Sequence, residues 1–370
     1  MPSAKTLRWL SKLPASDSTV SRLSRRYVAP LASAPKRQGR IREIYRLGSR
    51  AVGLGHEGLS YQANDWLMRT MADELDRSPA HAVHSYEDCS LWQFEKAKQK
   101  NVSCIYDMPI GYYGSWQKTE SRLVEKYADW VSDDQKSLTH FVRPQQKSAE
   151  LALADLVLVP SSFAERTVKE HFPNKRTARA GYGVDTEFWS PGEIKGASRP
   201  LTFIYAGQSS IRKGTPDLVE AWKKADLSDA RLQLVGSWHL SPRQLKALPP
   251  SVQWHPPCSA DQLRRFYREA DIFVFPSYFE GFGLVLLEAM ACGLPVFASD
   301  ASAMPDLFSG CEGGVIPAGN LEALVETLRW AVMHRETLRQ MGSDARKRAQ
   351  LCTWAAYRNQ VRDAVAPFLS

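Results

Sequence analysis

The chain has 370 residues, 44% hydrophobic and 24% charged, a balance that excludes wholesale disorder. No apolar run reaches the roughly 20 residues that a membrane-spanning helix needs, because Asp155 and Glu288 interrupt the two best candidates. The formal charge of +8 is unevenly placed: residues 1–50 hold 12 Lys and Arg against 2 Asp and Glu.

That basic opening favours an anionic partner, either phospholipid headgroups or nucleic acid. A solvated surface and an import presequence are the competing readings. The opening lacks the compact apolar stretch of a secretory signal, and AKTLRWLSKLP is read as what remains of an early strand. Further on, AHAVHSY (80–86) reads as a strand, LWQFEKAKQK as a helix and NVSCIYD (101–107) as a strand. LALADLVLVPS (151–161) is strand-like at its end, and a helix follows over 162–172. SPGEIKGASRP (190–200) has the Pro, Gly, Ser and charge content of a linker. Two domains are therefore expected, an N-terminal one over 1–192 and a C-terminal one over 193–352, with a last helix over 353–370.

The second half alternates more plainly. LTFIYAG (201–207) reads as a strand, followed by a helix with Thr215 as N-cap and Pro216 at its first position. RLQLVG (231–236) and VQWH are strands. Ser259 and Gln262 form a capping box ahead of a stripe of Leu263, Phe266, Tyr267 and Ala270. DIFVFP (271–276) is nearly all apolar, as a strand covered on both faces should be. LVLLEAMA (284–291) reads as a helix, PVFA as a strand, and Asn320 as the cap of a helix with Leu321, Leu324, Leu328 and Val332 on one face. This alternation predicts doubly wound parallel sheets with ligands at the carboxyl ends of the strands. Trp222, Phe266 and Tyr267 are assigned to the core, as is the stripe Trp354, Tyr357, Val361 and Val365.

Two strand-to-helix junctions carry chemistry. In PSYFEGFGLVLLEAMACGLPV (276–296) a loop with Glu280, Gly281 and Gly283 leads into a helix whose free N–H groups suit a phosphate. In AGQSSIRKGTPDL (206–218) a loop with Arg212 and Lys213 leads into a second helix. Two helix starts and an ammonium group can hold a diphosphate without a metal. The Walker pattern is absent, and no G-x-G-x-x-G opens a strand-helix turn, which argues against an NAD enzyme. Cys89, Cys104, Cys258, Cys292, Cys311 and Cys352 show neither zinc spacing nor a small-domain disulfide framework. Their scatter suits a reducing cytoplasm.

Glu280 and Glu288, with seven residues between them, resemble the E-x7-E signature of the group 1 family of retaining glycosyltransferases with the GT-B fold. ADLVLVPSSFAERTV, GYGVDTEFWSP, IYAGQSSIRKGTPDLVEAW and ADIFVFPS resemble that family's neighbouring segments in order and spacing. The resemblance implies an α/β protein of two Rossmann-like domains facing across a cleft. It implies that Glu288 holds the ribose hydroxyls of a nucleotide and Glu280 the hydroxyls of the donor sugar. The backbone at Phe282, Gly283 and Leu284 would bind the diphosphate, beside Gly207, Gln208 and Arg212. Lys213 would neutralise charge on the departing nucleoside diphosphate. No metal or other cofactor is expected. The two glutamates are not read as a hydrolase pair, which needs its carboxylates roughly 5 Å apart across the scissile bond.

Three departures stand out. Gln208 occupies the place of the family's arginine, with Arg212 beside Lys213 as compensation. Tyr106 and Asp107 stand where the family has a histidine, and His84 is assigned a structural role. The family's opening strand and glycine-rich turn are not recognisable in residues 1–50. The expected activity is transfer of a sugar from a nucleotide-sugar to a glycan or lipid-linked acceptor, with retention, in surface glycan or polysaccharide assembly. Residues 1–50 would dock at the inner face of an anionic membrane, and nucleic acid is not expected as a partner. The alternative is a non-catalytic sugar-nucleotide or glycan binding protein on the same fold.

Overall fold

The computed structural model describes residues 57–131, 143–193 and 199–369. The basic stretch 1–50, its early strand and the linker residues 194–198 lie outside the described residues. The described part divides into two compact units. The smaller one holds α1 (Glu57–Arg77) and, past β1 (Ala82–Tyr86) in the chain, α2 (Leu91–Gln99). Asp76 on α1 pairs with Lys96 and Lys100 at 2.9 Å each, and the Arg69 guanidinium lies 4.6 Å over the Trp92 ring.

The larger unit contains β1 and everything from residue 102 onward. Its chain order is β2 (Ser103–Asp107), α3 (Tyr113–Lys126), α4 (Pro144–Leu153), β3 (Leu156–Val159), α5 (Ser162–His171) and β4 (Thr177–Arg179). Then follow β5 (Leu201–Ala206), α6 (Thr215–Ala225), β6 (Ala230–Val235), α7 (Pro242–Lys246), β7 (Val252–His255), α8 (Ala260–Glu269) and β8 (Ile272–Phe275). The chain ends through α9 (Leu284–Ala291), β9 (Val296–Ser299), α10 (Met304–Leu307), β10 (Gly313–Ile316), α11 (Leu321–Met333), α12 (Arg335–Leu351) and α13 (Trp354–Val365).

Among the described residues all strands pair in parallel, in two sheets of order β1-β2-β3-β4 and β10-β9-β8-β5-β6-β7. Parallel strands covered on both faces must be apolar throughout. Every residue of β3, β5, β8 and β9 is accordingly buried. The fold is α/β with two Rossmann-like sheets, as the alternation predicted. In the second sheet the chain runs outward from β5 through β6 to β7, then returns to β8 and runs the other way. Strand order therefore reverses between β5 and β8, and the crevice outside their carboxyl ends is where such a sheet binds ligands.

Helix ends follow their caps closely. The Ser259–Gln262 capping box is formed at the start of α8, and Asn320 accepts from the Ala323 N–H at the start of α11. One cap differs from expectation. Thr215 is the first residue of α6 and not its cap, which is Gly214 in the left-handed region at φ 70°. The reason is space: a Cβ built on Gly214 would land inside the Pro276 carbonyl. The last helix packs on the first sheet, where Val361, Ala364 and Val365 cover Ile105, Leu156 and Leu158.

Gly214→Ala combines a left-handed backbone with a clash against a main-chain carbonyl that has nowhere to go. It should destabilise the fold by at least about 2 kcal/mol, read as a lower unfolding midpoint with near-wild-type far-UV circular dichroism below it.

Candidate functional site

β5 ends at Ala206 and β8 at Phe275, neighbours across the point where strand order reverses. Each leads through a loop into a helix that begins on a left-handed glycine, Gly214 for α6 and Gly283 for α9, with no side-chain cap. Ser161, Ser241, Ser259, Asn320 and Thr353 cap α5, α7, α8, α11 and α13, whereas α2, α3, α4, α10 and α12 share with α6 and α9 the lack of a side-chain cap but do not begin on a glycine. Uncapped helix starts keep N–H groups and positive dipole ends available to an anion.

The sequence-selected residues lie as follows. Lys213 forms an ion pair with Glu280, and its ammonium group sits 5.1 Å over the Phe275 ring. Gly283 faces the same ring, since a Cβ there would stand 3.5 Å from Phe275 Cε1. Phe275 thus brings Lys213, Glu280 and the start of α9 to one place. Burial, and after it the neighbouring Arg212, push the Lys213 ammonium well below the ordinary lysine range. Arg212 itself donates to the Phe279 carbonyl at 2.8 Å, which ties the first loop to the second. Gly207 donates to the Val235 carbonyl at 2.9 Å, and the Gln208 carbonyl accepts from the Tyr205 hydroxyl at 2.8 Å. Phe282 is buried, and its ring meets Tyr182 at 5.2 Å.

Leu284 and Glu288 share a face of α9, four residues apart, and Leu284 is exposed. Glu288 is half-buried, and burial pushes its carboxyl up to about 7. The Tyr267 hydroxyl, fully buried on α8, donates to Glu288 Oε2 at 3.4 Å and favours the charged form. The helical stripe of α8 accounts for the Tyr267 ring but not for this bond. The available signal was its phenol, which needs a partner when buried.

The loop carrying Glu280 also meets the first sheet's layer. A Cβ on Gly281 would land inside the Pro109 carbonyl, and the Ser161 hydroxyl donates to the Gly281 carbonyl. Phe279 meets Trp116 at 5.5 Å and Phe163 at 5.4 Å. Buried Asp217 on α6 accepts from Lys126 at 3.0 Å and from Tyr127. On the other flank Asp306 accepts from the Ser162 N–H at 2.8 Å and pairs with Arg179 at 3.0 Å. His84 pairs with Asp107 at 3.6 Å. A small pocket beside the site is lined by Asp217, Pro276, Ser299 and Gly319 but by none of the donor-site residues expected from the sequence. Among the described residues no group of three or more His, Cys, Asp and Glu is placed to hold a metal ion, and no helix is long and apolar enough to cross a membrane.

Residues 192–348 match the family model described as glycosyl transferases group 1. The chain is 27% identical over 331 residues to the D-inositol 3-phosphate glycosyltransferase of Geodermatophilus obscurus, covering 82% of this chain and 70% of that protein. It is 30% identical over 231 residues to the sulfoquinovosyl transferase SQD2 of Arabidopsis thaliana, covering 57% of this chain and 44% of that one. Among solved structures it is similar to sucrose-phosphate synthase from Thermosynechococcus elongatus, with a TM-score of 0.63 at 21% identity over 83% of this chain and 78% of that one. It is also similar to HepE of Anabaena solved with UDP, at 0.61 and 16% over 81% and 82%. These structural likenesses carry the fold, the GT-B arrangement of two Rossmann-like sheets.

The raised Glu288 carboxyl has a stability consequence. The native state holds its proton more tightly than the unfolded chain, so stability is full below about pH 4.5 and falls as pH rises toward 7. A shift of that size corresponds to about 3 kcal/mol, nearer 2 after solvent screening of a half-buried group. Glu288→Gln should remove that fall. Urea unfolding from pH 5 to pH 8 should show the variant more stable than the parent at pH 8, with the gap closing toward pH 5.

Proposed function

We propose, for a chain whose residues 192–348 match the group 1 glycosyltransferase model, that it moves a hexosyl group from a nucleotide-sugar to a hydroxyl of a glycan or lipid-linked acceptor, with retention at the anomeric carbon. The observation that carries the reading is the Lys213–Glu280 pair set over Phe275, with the uncapped starts of α6 and α9 around it. A cation and two positive helix ends there suit a diphosphate, and a carboxylate beside them suits sugar hydroxyls.

In this reading the N–H groups at Phe282, Gly283 and Leu284 hold the diphosphate, with Gly207, Gln208 and Arg212 along its other side. Glu288 receives the ribose. Glu280 turns from Lys213 to the donor sugar when the diphosphate arrives. The bond from the anomeric carbon to the phosphate oxygen breaks, and a bond to the acceptor oxygen forms on the same face. The proton leaving the acceptor hydroxyl departs with the nucleoside diphosphate, whose growing charge Lys213 neutralises. Charge stabilisation of this kind in a dry cleft is worth several kcal/mol. No metal has a role in the reading. That the HepE structure holds UDP makes UDP the first nucleotide to try. SQD2 is named for a sulfoquinovosyl transfer and the other relative for D-inositol 3-phosphate, so neither name decides the sugar here.

The direct test is turnover of labelled nucleotide-sugars. Lys213→Ala should lower the transfer rate by about 100-fold or more while weakening nucleotide binding far less. Glu280→Gln should lower it comparably. Full activity in either variant would refute the role given to that residue. Nucleotide-sugar binding by the parent without any turnover would favour the non-catalytic reading.

The basic stretch 1–50 supports docking at an anionic membrane surface, where a lipid-linked acceptor would lie. The full chain should sediment with phosphatidylserine-containing vesicles at low salt and be released at about 0.5 M salt, where the Debye length falls to a few ångströms. No sedimentation at low salt would remove membrane docking.

A further inference from the structure

Glu288 needs more than its place on α9 to present a carboxylate to a ligand. It is half-buried, one turn past an exposed Leu284, among buried Leu287, Ala289, Met290 and Ala291. A carboxylate in such surroundings loses its charge unless a donor holds it. Among the described residues that donor is the Tyr267 hydroxyl, 3.4 Å from Oε2.

Tyr267 is built to stay in place. It is fully buried, and its ring meets Trp189 at 5.6 Å and Phe273 at 5.8 Å. Trp189 is anchored by Arg346, which donates to the Trp189 carbonyl at 2.8 Å and to the Ala291 carbonyl at 2.7 Å, bracketing both the tyrosine and the end of α9. The charged and titratable groups around the pair are Cys292 on α9, Cys258 ahead of α8, Arg264 and Arg268 on α8, and Arg346 on α12. The three guanidinium groups donate to main-chain carbonyls, Arg264 to Phe188 at 3.0 Å and Arg268 to Ser190 at 2.8 Å, and Arg346 as above. Burial pushes the Cys292 thiol up to about 12, so it stays neutral.

Resting on the donor-site reading of Glu288 given above, we infer that Tyr267 is a positioning residue for nucleotide recognition. Its hydroxyl engages Oε2 and leaves Oε1 to accept from the hydroxyls of the nucleotide's ribose. Ribose discrimination by this chain then depends on a residue in the core of α8 as well as on the glutamate that makes the contact. The Tyr267 phenol stays protonated, since burial and Glu288 push it well above its ordinary range, so it acts as donor throughout the working pH.

The experiment is calorimetric titration of the full chain with UDP, GDP and ADP, and with the 2′-deoxy form of whichever binds. For the parent the ribonucleotide should bind about tenfold more tightly than the deoxynucleotide. Tyr267→Phe keeps the ring and its packing. It should bring the ribonucleotide down to the level of the deoxynucleotide while leaving deoxynucleotide affinity within twofold of the parent's. Glu288→Gln is the control, and it should erase the same preference. If Glu288→Gln erases the preference and Tyr267→Phe keeps it, the inference on Tyr267 is wrong and the reading of Glu288 survives. Equal weakening of both nucleotides in Tyr267→Phe would mark a purely structural residue and also overturn the inference. A preference unchanged in Glu288→Gln, or no binding of any of the three nucleotides, would overturn the donor-site reading and the inference with it.

Discussion

The close approach of Gly214 to the Pro276 carbonyl is the constraint on which the rest of the site depends. It presses the junction after β5 against the junction after β8, at the one place in the second sheet where strand order reverses. With the two main chains in contact, Lys213 reaches Glu280, Arg212 reaches the Phe279 carbonyl, and the Tyr278 N–H donates back to the Arg212 carbonyl at 2.8 Å. Each loop thereby supplies partners for main-chain groups of the other, as buried polar groups require. A side chain at position 214 would separate the loops and scatter every one of these contacts.

The electrostatics follow from that packing. Two cations, Arg212 and Lys213, are adjacent in sequence and both are held out of water, which alone would be unfavourable. The Phe279 carbonyl answers one, and Glu280 with the face of Phe275 answers the other. The helix starts add positive potential instead of relieving it. The site is therefore provided with more positive than negative character, and one carboxylate balances it without a ligand. In the proposed reading a diphosphate brings the missing negative charge and frees Glu280 for the sugar, so binding and activation are one event.

Much of this was legible in the sequence because the second half is locally consistent. DIFVFP could only be a strand covered on both faces, LVLLEAMA lies on α9 from end to end, and the Ser259–Gln262 box opens α8. Lys213 and Glu280 come together as two junctions of one parallel sheet should. The misread cap shows where local rules stop. Thr followed by Pro is a sound helix start, but the room available beside Pro276 admits only glycine, and that room is set by a residue 62 positions away. Tyr267 was hidden for a related reason. Its place in a helical stripe accounts fully for its ring, and only the fold shows that its hydroxyl meets a carboxylate 21 residues on. For Arg212 the sequence offers a phosphate ligand, and the fold adds that one of its N–H groups holds the two loops together.

The first sheet bears on the same loop. Pro109 backs onto Gly281, while Trp116 and Phe163 enclose Phe279, so the residue between them, Glu280, is clamped on both sides by the layer that follows β2 and β3. Asp217 and Asp306, both from the second sheet's layers, take hydrogen bonds from Tyr127 and Ser162 in the first sheet's layer, one on each flank of that loop. These bonds set the distance between the layers from the outside, and the glycine contact sets it from the inside. A loop held this way takes its geometry from both layers. Glu280 is thus positioned by both sheets at once, and its chemistry belongs to the pair of them rather than to the sheet that carries it.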